Sequence, residues 1–212
     1  RIPYAGGIGG VEHHCDSSES YYAHTPGLKV FTPATVGDAY LMLREAIDSP
    51  DPVIFMEPKK LYWTKEQVDL DALRLSHETA AVPPTEGRAA VARTGTDATL
   101  IAYGPSVSTA MAAAEAAALE GRNLEVIDVR TIVPLDEEAL LASARKTARV
   151  IVVDEGHQSF GVTSEIASRI NEKAFYHLDA PVMRMGAMDV PVPFSPALED
   201  DQWLALRDIC QR

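Results

Sequence analysis

The sequence predicts an α/β fold with a mostly parallel, helix-covered sheet. Three observations point to it. Residues 28–56 read as strand, helix, strand, the crossover unit that joins parallel neighbours. Strands and helices alternate again from Ala98 onward. Two continuous apolar runs, Val53-Ile54-Phe55-Met56 and Val150-Ile151-Val152-Val153, have the composition of strands buried on both faces.

The elements follow in order. Five glycines, Gly6, Gly7, Gly9, Gly10 and Gly27, fall within the first 27 residues. That density favours positive φ or a close approach of backbone to a ligand. Ser17 to His24 reads as a short helix closed by Thr25-Pro26-Gly27. Leu28 to Thr32 is a strand candidate. Thr35 caps a helix over Val36–Ile47, whose residues Val36, Ala39, Tyr40, Leu43 and Ile47 fit the helical period. After the Ser49-Pro50-Asp51-Pro52 turn comes the strand at 53–56. Residues 64–97 are charge-dense, are broken around Pro83-Pro84, and read as a linker with room for short strands. The second alternation then runs strand 100–103, helix 106–120 with Gly121 past its end, strand 124–129, helix 136–146 and strand 149–154. It continues with a helix from Ser159 or Gly161 to about Phe175, a strand at 182–185 and a closing helix at 201–210.

Composition narrows the function. The 212 residues carry a net charge of −12, with 19 Lys+Arg against 31 Asp+Glu. Such a surface repels phosphate backbones and anionic membranes, so neither nucleic acid nor membrane is expected as a partner. No apolar run reaches the roughly 18 residues that span a bilayer. Two cysteines, Cys15 and Cys210, are too few for a disulfide framework, and a reducing, cytoplasmic setting is expected. The chain opens on Arg1 and runs from Ile2-Pro3-Tyr4 straight into the glycine cluster. This reads as the end of a strand entering a functional loop, with a further segment expected upstream. A sheet missing those upstream strands has an open edge, so residues 1–27 are expected to be partly disordered or rearranged.

Three constellations carry possible chemistry. The loop Gly6-Gly7-Ile8-Gly9-Gly10-Val11 leads into Glu12-His13-His14-Cys15-Asp16. It is neither a dinucleotide fingerprint nor a phosphate loop, and it reads either as a flexible connection or as a site loop. In an extended segment His13 and His14 point to opposite sides, which disfavours a shared metal. A histidine after such a loop suits proton transfer or hydrogen bonding to a charged intermediate. Ser17-Ser18-Glu19-Ser20 reads as a helix start, since a nucleophilic serine would need an elbow motif that is absent. Asp154-Glu155-Gly156-His157-Gln158, at a strand end, is placed equally well for a site or for a capped turn. Glu199-Asp200-Asp201 reads as a solvated turn rather than a cation site.

The stretch Arg1 to Glu19, then Ala23-His24-Thr25-Pro26-Gly27, Thr32-Pro33-Ala34, Asp51 to Lys59 and Leu61-Tyr62 closely resembles one family. It is that of the beta subunits of the thiamine-diphosphate-dependent decarboxylating component of 2-oxo acid dehydrogenase complexes. Glu125 to Asp136 and Leu178-Asp179-Ala180-Pro181 resemble its C-terminal domain, and the branched-chain members match best. The resemblance implies a partial transketolase-like pyrimidine-binding domain at 1–63, a linker at 64–97 and a transketolase C-terminal-like domain at 98–212.

It also implies an α2β2 assembly with an alpha subunit and a second beta subunit. Thiamine diphosphate would lie at the α/β interface, its diphosphate and magnesium held by the alpha subunit. A Glu expected upstream of Arg1 would hold the aminopyrimidine, leaving no cofactor-binding residue assigned in this stretch. The family's active-site histidine falls on His14, to stabilise the thiamine-bound intermediate and assist acyl transfer to a lipoyl domain. The turn from Ala46 through Ser49 to Asp51 matches a segment that in some members binds a potassium ion with backbone carbonyls, although Ser49 replaces the usual Asp. Asp179 matches the acidic residue that receives the basic subunit-binding domain of the acyltransferase core; by its residues alone it reads equally as a turn residue before Pro181. The alternatives are a pyruvate or acetoin dehydrogenase beta subunit, or a non-catalytic dimerisation and docking fragment. A sugar-phosphate enzyme is disfavoured, because only Arg1 stands near the glycine loop.

Overall fold

Two sheets share one hydrophobic core in the computed structural model, which describes residues 1–79, 81 and 83–199. The closing helix expected at Asp201–Cys210 lies outside the described residues. The first sheet is built from β1 (Ile2–Tyr4), β2 (Lys29–Phe31), β3 (Val53–Pro58) and, from much later in the chain, β7 (Thr131–Val133), in the order β1-β3-β2-β7. β1 and β2 run parallel to β3, and β7 runs antiparallel to β2. The second sheet takes β4 (Ala90–Arg93), β5 (Ala98–Ala102), β6 (Leu124–Asp128), β8 (Val150–His157) and β9 (Met183–Ala187), in the order β4-β6-β5-β8-β9. Only β4 is antiparallel to its neighbour. The parallel α/β architecture read from the alternation is therefore present.

The helices are α1 (Glu12–Cys15), α2 (Glu19–Ala23), α3 (Val36–Asp48), α4 (Leu70–Glu78), α5 (Ser106–Leu119), α6 (Glu137–Thr147) and α7 (Val162–Ala174). Their starts follow local chemistry. The Thr35 hydroxyl accepts the Asp38 N–H at 3.0 Å and the Asp136 carboxylate accepts that of Ala139 at 3.1 Å. In α5 the alanines Ala110, Ala113, Ala114 and Ala117 are buried, and their small side chains let the helix lie close on Leu100, Val126 and Val153. The largest core joins both sheets: Tyr4, Val30 and Met56 pack in one cluster with Ile101, Tyr103, Ile127, Leu140, Val152 and Ile166.

Four local expectations are corrected. Residues 12–15 form a helical turn rather than an extended segment, and the His13 and His14 rings lie 4.3 Å apart, tilted at 42°. The first 27 residues are placed by partners: β1 pairs with β3, and the glycine loop is bonded to residues near the end of the chain. β8 continues through Asp154 and Glu155 to His157, so both carboxylates belong to a strand. Glu199 is not solvated but 4% exposed; Asp200 and Asp201 lie outside the described residues.

Candidate functional site

The glycine loop leaves β1 with Ala5, Gly7, Gly9 and Val11 at φ of 70°, 88°, 66° and 51°. These left-handed steps turn successive backbone N–H groups to one side. Gly6 N–H donates to the Glu155 carboxylate at 3.3 Å. Gly7 and Gly9 N–H donate to the two oxygens of Glu199, at 2.7 and 3.1 Å. Val11 then starts α1, its carbonyl accepting from the N–H groups of His14 and Cys15 at 3.2 and 2.9 Å. A side chain at Gly10 would stand 2.8 Å from the His14 Cβ, so only glycine permits this approach.

His14 is exposed, with Nδ1 3.3 Å from the Nζ of Lys59. The positive charge of Lys59, then some desolvation and His13, lower its pKa below the ordinary histidine value. An ammonium group only donates, so Nδ1 accepts and the proton of the neutral ring sits on Nε2. The result is a neutral imidazole with an Nε2–H donor beside a fixed positive charge. Cys15, directly beneath, is buried; burial first, with Glu199 among the further causes, pushes its thiol up.

Successive side chains of a strand leave on opposite faces, and β8 uses this. Glu155 turns to the glycine loop and to Lys60, 3.6 Å away; burial raises its pKa to about 7 although Lys60 opposes the shift. Asp154 turns to Tyr103, whose hydroxyl bridges it to Glu19 Oε1 at 3.1 Å. All three groups are buried. Burial, and then mutual repulsion, raise the Glu19 pKa well above the usual range; burial likewise raises Asp154 against the hydrogen bonds from Tyr103, Gly156 and Glu155. One hydroxyl has one proton and cannot donate to two carboxylates. The arrangement is satisfied when Glu19 keeps its own proton and donates to Tyr103, which donates to Asp154. A cleft of about 580 Å³, lined by Asp16, Ser17, Glu19, Asp154 and His157 among others, opens beside this group.

A second cleft, about 570 Å³ and mostly apolar, lies between α3 and the end of β3, with Phe55, Leu61 and Trp63 in its walls. At its rim Glu57 bonds Arg1 and accepts the Tyr62 hydroxyl at 2.7 Å. Burial pulls the Glu57 carboxyl up, but those two bonds outweigh it and hold it below the ordinary range, while burial and Glu57 push Tyr62 up to about 12.

The structure brings His14 to the glycine loop that Glu155 and Glu199 bond, while Asp154 faces Tyr103 on the other side of β8. The other assigned residues lie apart from this group in its bonding. Asp179 is exposed in the turn before β9 and pairs with Arg149 at 3.3 Å. Ala46, Ser49 and Asp51 lie at the end of α3 and just beyond it. There the Lys29 ammonium lies 3.1 Å from the Ser49 hydroxyl, 3.1 Å from Asp51 and 3.0 Å from Glu86. The side chains of Ser49 and Asp51 are thus engaged by the chain's own ammonium, whereas a potassium ion of the kind the resemblance implies would be held by backbone carbonyls of this turn. Among the described residues, no group of three or more His, Cys, Asp or Glu is placed to hold a metal ion. Sequence reasoning missed Lys59, Tyr103 and Glu199 as parts of the site. The signal for Glu199 was available: three loop glycines carry N–H groups that need acceptors.

Comparison with known proteins places this geometry among relatives. The family model described as the transketolase C-terminal domain matches residues 87–209, and that of the transketolase pyrimidine binding domain matches residues 1–64. The 3-methyl-2-oxobutanoate dehydrogenase subunit beta of Mycobacterium tuberculosis is 46% identical over 205 residues, covering 96% of this chain and 56% of the relative. The pyruvate dehydrogenase E1 component subunit beta of Leifsonia xyli is 46% identical over 193 residues, 91% of this chain and 55% of the relative. The 2-oxoisovalerate dehydrogenase subunit beta of Bacillus subtilis is 38% identical over 201 residues, 94% and 59%. The chain thus spans a little over half the length of these curated relatives. Among solved structures, one titled "Split gene transketolase, inactive beta4 tetramer" superposes with a TM-score of 0.77 at 25% identity, covering 99% of this chain and 62% of that one.

Proposed function

Because the chain belongs to the transketolase family through its C-terminal domain, we propose that it is the rear part of a 2-oxo acid dehydrogenase beta subunit. In this reading residues 1–63 complete a pyrimidine-binding domain, 64–97 link, and 98–212 form the C-terminal domain. The full protein, with an alpha subunit and a second beta subunit, oxidatively decarboxylates a branched-chain 2-oxo acid and passes the acyl group to a lipoyl domain. Thiamine diphosphate, when bound, would supply a carbon nucleophile and the electron sink that takes the pair left by carbon dioxide; magnesium would accompany its diphosphate on the alpha subunit. Potassium, where bound, would be held by backbone carbonyls of the turn from Ala46 to Asp51.

The observation that carries the proposal is His14: a neutral, exposed imidazole with an Nε2–H donor, held at a bonded glycine loop next to Lys59. Such a donor pair suits an anionic, acyl-bearing intermediate. The Nε2–H would hydrogen-bond to oxygen where negative charge develops, and the Lys59 contact at Nδ1 fixes the neutral ring's proton on Nε2, where it can donate. The 2-oxo acid carboxylate is likewise drawn to this face by Lys59 and Lys60. On the opposite part of the chain, exposed Asp179 with Phe175 and Tyr176 nearby offers one charge and two exposed aromatic rings to a basic subunit-binding domain. Among the described residues no helix is long and apolar enough to cross a membrane, and a cytoplasmic site of action fits the two-cysteine composition.

The test uses the full-length beta chain with its alpha partner. Decarboxylation of branched-chain 2-oxo acids and pyruvate, and reductive acylation of a lipoyl domain, are measured for wild type and His14→Ala. We expect thiamine-dependent turnover, fastest with branched-chain acids, and at least a hundredfold loss of lipoyl acylation in the variant. Equal rates in both proteins would remove His14 from the chemistry. Preference for pyruvate would change the substrate, and no turnover on any 2-oxo acid would leave only a docking role.

A further inference from the structure

We propose that Glu199 is a positioning residue for His14, acting as the built-in anion of the glycine loop. The inference rests on the reading of His14 above and adds to it the group that fixes the loop. A run of left-handed steps that aims N–H groups to one side makes a concavity for an anion. In this chain the anion is not a ligand. Glu199 places its two oxygens on Gly7 N–H and Gly9 N–H, at 2.7 and 3.1 Å, and is 4% exposed. Glu155 adds a third contact from another element, on Gly6 N–H at 3.3 Å. The loop's amide donors are therefore met by carboxylates that arrive from 149 to 192 residues away in sequence.

The path from Glu199 to His14 is short and stiff. Gly9 leads to Gly10, whose α-carbon approaches so closely that a methyl there would meet the His14 Cβ at 2.8 Å and the Cys15 Sγ at 3.2 Å. Glu199 itself is braced by its N–H bond to the Ser195 carbonyl at 2.8 Å. A carboxylate with two oxygens on two amides fixes both the height and the rotation of the loop; a single acceptor would fix only one. Without it, the glycines Gly7 and Gly9 return to their wide conformational range, and the imidazole of His14 loses its fixed orientation toward Lys59. Both of its carboxylate oxygens are engaged by Gly7 and Gly9 N–H, so in this proposal it acts on the chemistry through His14.

The experiment compares Glu199→Ala, Glu199→Gln and wild type in the full-length beta chain assembled with its alpha partner. Hydrogen exchange at the Gly7 and Gly9 amides is the first readout. We expect at least tenfold faster exchange there in Glu199→Ala, an intermediate value in Glu199→Gln, which keeps one carbonyl acceptor, and unchanged exchange in β5 and β8. The second readout is lipoyl acylation. We expect kcat to fall tenfold or more with KM for the 2-oxo acid within twofold, and partial recovery in Glu199→Gln. Unchanged exchange at Gly7 and Gly9 would overturn the proposal, as would faster exchange with unaltered kcat. Faster exchange spread through β5 and β8 would also overturn it, since Glu199 would then be a general stabiliser. The exchange arm does not depend on the reaction: a wild-type protein with no 2-oxo acid turnover would remove the assigned function while the loop contact is judged on its own.

Discussion

Replacing Tyr103 by Phe tests the reading of the buried carboxyl pair, and its cost should depend on pH. The hydroxyl lies within hydrogen-bond reach of both Glu19 and Asp154, all three side chains being buried, and its single proton serves both only when Glu19 is itself protonated and donates to it. Where Asp154 is ionised, the form that pH 7.5 favours over pH 5, the variant removes a hydrogen bond to a buried carboxylate, an interaction of about 1.5–3 kcal/mol, and leaves Glu19 without its acceptor. Asp154 keeps only the backbone N–H groups of Glu155 and Gly156. The expected loss is about 3 kcal/mol. For a chain of this size that is a fall in Tm of about 6–12 °C. Burial raises the Asp154 pKa, so pH 5 favours its protonated form more than pH 7.5 does; the lost bonds become neutral ones and the loss should shrink toward about 1 kcal/mol. Thermal unfolding of both proteins at the two pH values, followed by circular dichroism, reads this directly. Equal shifts at both pH values would refute the shared-proton arrangement. A shift below about 2 °C at pH 7.5 would refute the claim that Tyr103 satisfies buried charge at all.

Other outcomes follow from the same structure. Gly95→Ala would place a methyl 2.2 Å from the backbone of Leu124 and Glu125; it should cost more than about 3 kcal/mol, whereas Gly9→Ala, with open space but φ of 66°, should cost about 1–2 kcal/mol by backbone strain. Denaturant titration of the two variants measures the contrast, and equal costs would contradict it. Glu155 and Asp128 both have folded pKa values of about 7 against ordinary values of 4.5 and 3.8. The folded state therefore holds protons that the unfolded state releases. Their stabilising contribution is full below about pH 4 and is lost as pH rises through 7, by about 3 kcal/mol for Glu155 at roughly 1.4 kcal/mol per pKa unit. Glu155→Gln should flatten that part of a stability–pH curve taken from pH 5 to 8, and an unchanged slope would count against it. Asp179→Lys should leave Tm within about 2 °C, because its pair with Arg149 is exposed. It should also weaken binding of a basic subunit-binding domain at low salt, measured by calorimetry; undiminished binding would remove Asp179 from that surface.

Much of the fold was legible because the sequence states it locally. Thr35 and Asp136 announce α3 and α6, the apolar runs at 53–56 and 150–153 announce β3 and β8, and Gly121, at φ of 79°, closes α5. What local reasoning missed is long-range. β7 is three residues long and has no periodicity to read; it exists because Thr131 and Val133 find β2, about a hundred residues earlier in the chain. β1 and β4 are similarly short and are held by partners rather than by propensity. Nothing within Glu12-His13-His14-Cys15 signals the helical turn at 12–15; the Val11 carbonyl starts it, at the end of a loop set by distant carboxylates. His14 itself was found by resemblance, whereas its tautomer follows only from the Lys59 contact.

The acidic composition has an internal use that a net charge of −12 conceals. Glu45 on α3 accepts the N–H groups of Thr85 and Glu86, at 2.8 and 3.2 Å, and ties the connecting segment to the first sheet's helix. Asp136 accepts from Ala89 as well as capping α6, and Asp97 accepts from Asn123 at 2.7 Å, joining the turns that flank β5 and β6. Asp38 forks onto Arg130, fixing the turn between β6 and β7 against α3. Glu155 and Glu199 do the same for the glycine loop. In each case a carboxylate from one segment satisfies the backbone or side-chain donors of a remote one, a bond stronger than its neutral counterpart. These groups offer little to a basic partner, because their oxygens are committed to donors that tie segments of the fold together, whereas Asp179, among the described residues, forms an ion pair only with the exposed side chain of Arg149. Attraction of such a partner must come from exposed acids such as Asp179. Neutralising an inward-facing acid such as Glu45 should therefore loosen the fold, while neutralising Asp179 should alter binding and leave the fold intact.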